Sequence, residues 1–94
     1  MQVVPVPNPV RGSLWTLQVN LLGPASSLKV KVYAKSMVAV QESRLAGAYV
    51  AGWNTVSFGL SQPLPIGLYY VTVEGQEGEA AGQAPGIARL VYLP

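Results

Sequence analysis

Apolar and polar residues alternate one by one through most of this chain. In LKVKVYA (28–34), Leu28, Val30, Val32 and Ala34 share one parity, and Lys29, Lys31 and Tyr33 the other. That period of two predicts a strand with one dry and one wet face. LWTLQVNLL (14–22) repeats it, with Trp15, Leu17, Val19 and Leu21 against Thr16, Gln18 and Asn20. NTVSFGL (54–60) directs Val56, Phe58 and Leu60 inward, and LYYVTVEG (68–75) sets Tyr69, Val71 and Val73 opposite Leu68, Tyr70 and Thr72. IARLVYL (87–93) reads as a closing strand. MVAVQESR (37–44) is a weaker strand that runs into LAGAYVAG (45–52), whose small residues predict a loop or crossing segment. At the front, prolines 5, 7 and 9 make 1–10 a lead-in or edge strand, because proline lacks a ladder donor and extends its predecessor. QEGEAAGQAPG (76–86) has no apolar period and reads as a mobile hairpin loop. The sum is an all-β chain, an antiparallel β-sandwich of about seven short strands with no helical stretch.

Composition sharpens this picture. The 94 residues make one domain, 1–94. Only 11% are charged, against about 25% in an average soluble domain, so part of the surface is expected to lie against a partner. The net charge of +2 comes from basic residues scattered along the sequence, which gives no case for nucleic acid. The longest apolar run, LAGAYVAGW (45–53), falls far short of the roughly 20 residues of a membrane span. MQVVPVPNPV has neither the basic start nor the proline-free apolar stretch of a signal peptide. If the domain is exported, its address is expected in a longer precursor or in the module itself.

Histidine, cysteine and aspartate are all absent. A serine nucleophile would lack its usual imidazole base, and zinc and calcium would lack their usual ligands. The acids are Glu42, Glu74, Glu77 and Glu79, the last three on or near the glycine-rich segment. No catalytic residue, metal site or cofactor is therefore expected. The one surface constellation is Lys29, Lys31, Tyr33 and Lys35, to which outward Tyr70 and loop-end Trp53 are added as a candidate interaction surface. Its bland counterpart is a solvated strand face kept from edge pairing by its lysines. Tyr69 shares parity with Val71 and Val73, so its ring belongs to the wall of the core, and its buried hydroxyl requires a backbone partner.

Several stretches together resemble a known family. VPNPVRGSLWTLQV resembles a PNP opening followed by an alternating strand, and LKVKVYAKSMVAV a central strand pair. AGWNTVSFGLSQPLPIGLYYVTVEG is similar to that family's aG.n.i.f.l..lpsGlYfvrv run, and ARLVYL to its closing strand. These look like the C-terminal sorting domain of type IX secretion substrates and the related immunoglobulin-like domain of the flagellar hook-capping protein. One departure is Lys35-Ser36, which stands where that family has a turn glycine. The resemblance implies an immunoglobulin-like sandwich with structural positions at Asn8, Pro9, Gly52, Asn54, Gly67 and Tyr69. It also implies a non-catalytic sorting or interaction module of a bacterial secreted or cell-surface protein. Its partner would be a protein: export machinery, a neighbouring domain, or another copy. Two other readings stay open: a self-associating subunit of an extracellular filament or cap, and a carbohydrate-binding module using Tyr33, Tyr70 or Trp53.

Overall fold

The computed structural model describes residues 1–78 and 84–93, with no helix among them. Eight strands follow in chain order: β1 (Gln2–Pro5), β2 (Val10–Arg11), β3 (Leu14–Leu21), β4 (Ala25–Ala34), β5 (Ala39–Tyr49), β6 (Gly52–Gly59), β7 (Gly67–Gly78) and β8 (Gly86–Leu93). They form a three-stranded sheet, β1-β3-β6, and a five-stranded sheet, β2-β8-β7-β4-β5.

The strand count exceeds the expected seven because the proline-rich lead-in serves both sheets. β1 pairs antiparallel with β3, and after Pro7 and Pro9 the chain crosses over so that β2 lies parallel to β8. That pair breaks the otherwise antiparallel pattern. A second correction concerns 45–52. β5 continues to Tyr49 as an edge strand whose partner β4 runs antiparallel beside it. Ala46, Gly47 and Ala48 carry no apolar period, so pairing rather than side-chain pattern defines the strand there. The segment expected as a mobile loop, 76–86, contributes its ends to β7 and β8, and residues 79–83 lie outside the described ones.

The inward parities meet in one apolar layer. Trp15, Leu17, Val19, Leu21, Val56 and Phe58 come from the three-stranded sheet, and Leu28, Val30, Val32, Tyr69, Val71, Val73, Leu90 and Tyr92 from the other. No polar or charged side chain is buried among the described residues. Trp15 is the hub, with ring centroids 6.0 Å from Phe58, 6.0 Å from Tyr69 and 5.3 Å from Tyr92.

One side chain ties the two sheets at their open flank. Gln41 on β5 donates from Nε2 to the Gly59 carbonyl (2.9 Å), and its Oε1 accepts from the Ser61 backbone N–H (2.9 Å). At the β4–β5 turn, Met37 N–H donates to the Ala34 carbonyl (2.8 Å) and Met37 itself takes φ 68°. A non-glycine residue thus carries the left-handed conformation in this turn, at some cost in strain.

Candidate functional site

The structural positions are best understood from their hydrogen bonds. Asn54 builds the turn between β5 and β6: its Oδ1 accepts from Val50 N–H (3.0 Å), and its Nδ2 donates to the carbonyls of Val50 (2.8 Å) and Gly52 (3.1 Å). Gly52 sits in that turn at φ +96°, where a side chain would be strained. Asn8, followed by exposed Pro9, accepts from Val91 N–H at 3.1 Å and so ties the lead-in to β8. Gly67, at φ +154°, opens β7.

Two residues later, the buried Tyr69 ring places its hydroxyl to donate to the Pro65 carbonyl at 2.6 Å. Burial, and secondarily the neighbouring Tyr92, holds this phenol above its ordinary pKa of 10.0. The folded state therefore prefers the neutral phenol. Its contribution to stability is complete below pH 10 and is lost as pH rises through the raised value. Thermal melts over about pH 8–11 should show the midpoint falling steeply at the alkaline end. Tyr69→Phe should lose about 1 kcal/mol at neutral pH with the hydrogen bond, and show a shallower alkaline fall. Some fall should persist, because burial also raises Tyr49. An unchanged alkaline slope in Tyr69→Phe would refute the assignment.

The expected interaction residues divide. Lys29, Lys31, Tyr33 and Tyr70 share the outer face of the five-stranded sheet, where Tyr33 lies directly opposite Tyr70 and Lys29 opposite Glu74. Lys29 and Lys31 each reach the same Glu42 oxygen on β5 at 3.7 Å. Such part-exposed ion pairs contribute little stability. Lys35 lies beyond the end of β4, where it lines a shallow depression with Ile66 and Leu68. Trp53 is on the other sheet altogether, opposite Asn20 on β3. Tyr33, Tyr70 and Trp53 therefore do not form a single platform for a sugar.

Three residues missed in the sequence complete the face. Arg89 on β8 is paired with Tyr70, and Ile87 and Val91 stand on either side of it, 68% and 41% exposed. Both parities of IARLVYL are largely apolar, so alternation could not separate Ile87, Arg89 and Val91 from inward Ala88, Leu90 and Tyr92. Charge of both signs is also more concentrated than a linear reading suggests, for Glu42 and Glu74 lie on this sheet too. All six basic residues (Arg11, Lys29, Lys31, Lys35, Arg44 and Arg89) lie on strands of the five-stranded sheet or on its β4–β5 turn. The three strands of the other sheet, QVVP, LWTLQVNL and GWNTVSFG, carry no charged side chain.

Among the described residues there is no group of three or more metal-ligating side chains, and no helix long and apolar enough to cross a membrane. Comparison with known proteins finds no family model, no curated protein and no solved structure that matches this chain.

Proposed function

We propose that this chain is a non-catalytic immunoglobulin-like accessory module that docks a protein through the outer face of its five-stranded sheet. The partner surface is acidic. The strand order supports the immunoglobulin-like reading: β1-β3-β6 faces β8-β7-β4-β5, with the short β2 switching sheets to run parallel beside β8. So does the tyrosine at the start of β7 bonded four residues upstream, the tyrosine-corner arrangement of such sandwiches.

One observation carries the docking role. The Tyr33–Tyr70 pair, Arg89 and the exposed Ile87 and Val91 lie side by side on the sheet whose strands and β4–β5 turn hold every lysine and arginine, together with Glu42 and Glu74. Aromatic residues and arginine set among apolar neighbours are the composition of binding hot spots. Lys29 and Lys31 are shared with Glu42, and Glu74 lies opposite Lys29, but cations still outnumber acids on this sheet, and that excess favours an acidic partner by complementarity. In keeping with the resemblance, the module works at the end of a bacterial secreted or cell-surface protein, and the partner belongs to the export apparatus.

The test fuses the chain to a reporter in a host with type IX secretion. The wild-type fusion should appear outside the cell. Tyr70→Ala with Arg89→Glu should retain the reporter while the purified domain melts as before, because each anchor is worth about 2 kcal/mol, or thirtyfold in affinity. Retention of the wild-type fusion in a folded state eliminates the sorting role. Export indifferent to the paired substitution eliminates this face.

A further inference from the structure

Each sheet has two edges, and three of the four are blunted. β1 is four residues long and ends at Pro5, with Pro7 close behind. β2 has two residues and follows Pro9. β5 carries Glu42 and Arg44 and pairs with β4 through two register irregularities. Short strands, proline, charge and bulges are the devices that keep edges from pairing with other chains. β6, GWNTVSFG, has none of them over eight residues.

The direction of its free hydrogen-bonding groups follows from the register. Leu60 N–H donates to the Ser13 carbonyl at 2.8 Å, and Gly59 is opposite Leu14. Alternation then turns the backbone groups of Gly59, Ser57, Thr55 and Trp53 away from β3. Gln41 occupies the Gly59 carbonyl, which agrees with that direction. Trp53, Thr55 and Ser57 present their N–H and C=O groups to the open side, and all three are exposed.

We infer that this edge pairs with the same edge of a second copy about a two-fold axis at Thr55. Thr55 then faces its own counterpart, and Trp53 of each copy faces Ser57 of the other, through about six backbone hydrogen bonds. The result is a continuous six-stranded sheet, closed by its symmetry and not extended into a fibre. Charge selects this occupant. The joined strands carry no ionisable side chain, so like meets like without repulsion. Copies meeting through the five-stranded sheets would instead oppose two charged faces, on each of which the strand cations Arg11, Lys29, Lys31, Arg44 and Arg89 outnumber the acids. The inference is independent of the docking face, which lies on the other sheet.

Sedimentation equilibrium of the full chain, from roughly ten micromolar to one millimolar, tests it. The average mass should rise from 9.9 kDa towards twice that value. Thr55→Lys sets two ammonium groups against each other across the axis, and Thr55→Pro removes the central outward donor. Both give up the Thr55 hydroxyl's bond to Gln18 on β3 (3.2 Å) but no backbone bond of that ladder, and each should weaken association at least tenfold, whereas Thr55→Val, which loses the same hydroxyl, and Val4→Lys at the far edge should not. In the wild type, the amides of Trp53, Thr55 and Ser57 should gain exchange protection with concentration. A monomer throughout overturns the proposal and leaves the edge to a foreign strand. Association untouched by Thr55→Lys or Thr55→Pro, or without protection of those amides, overturns it too.

Discussion

Trp15→Ala should remove about 3–5 kcal/mol of stability, a large share of what a domain of this size has to lose. The ring has no exposed surface and touches the three other aromatic rings of the core, two of them on the opposite sheet. Truncation leaves a cavity between the sheets, and the strands that line it cannot collapse without losing their ladders. Trp15→Phe should lose well under half as much. The indole Nε1 is buried without a hydrogen-bond partner among the described residues, and a buried unpaired donor costs about 1–3 kcal/mol. Phenylalanine removes that donor while keeping most ring contacts, so a smaller cavity is offset by a polar gain. Urea denaturation of both variants measures the difference. Equal losses would mean that the indole N–H has a partner, such as a trapped water.

The aromatic hub is legible in the sequence because Trp15, Leu17 and Val19 share a parity that nothing interrupts. The same holds for β4 and for the first half of β7, where charged or polar residues mark the wet face. Legibility fails where both parities are alike. In β8 the outward Ile87 and Val91 are as apolar as the inward Leu90, and only pairing with β7 distinguishes them. In the tail of β5 both parities are small, and the strand exists because β4 offers a partner. The switch of the lead-in from one sheet to the other is likewise unwritten in the residues themselves. Proline explains why the strand breaks, not where its halves go.

The candidate surface follows the same logic. Lys29, Lys31 and Tyr33 were visible as a stripe because they belong to one strand. Their neighbours Tyr70 and Arg89 lie 37 and 56 positions after Tyr33 in the chain, and register alone brings them together. The confinement of all basic residues to one sheet and its β4–β5 turn is a property of topology: residues scattered from 11 to 89 converge because β2, β4, β5 and β8 share a layer. Trp53 erred in the opposite way. It is exposed, as a loop-end aromatic next to glycine suggested, but β6 carries it to the charge-free sheet.

Gly86→Ala should cost about 1–3 kcal/mol, a mechanism unlike that of the other essential glycines. At Gly67 and Gly52 there is open space around a would-be Cβ, and the positive φ is what excludes a side chain. Gly86 has no such φ. Its Cβ would instead stand 2.5 Å from Val3 Cγ2 and 3.0 Å from the Met1 carbonyl oxygen, where β1 crosses the start of β8. One of the two strands must yield, and β1, short and at an edge, is the weaker. Val3→Ala alone should also destabilise, since its side chain is buried in the core. Combined with Gly86→Ala it removes the very atom that clashes, so the two losses should fall short of their sum by about 1 kcal/mol. At about 4–8 °C per kcal/mol for a domain of this length, the shortfall is readable in thermal melts of the four proteins. Strict additivity would show that β1 does not rest on Gly86.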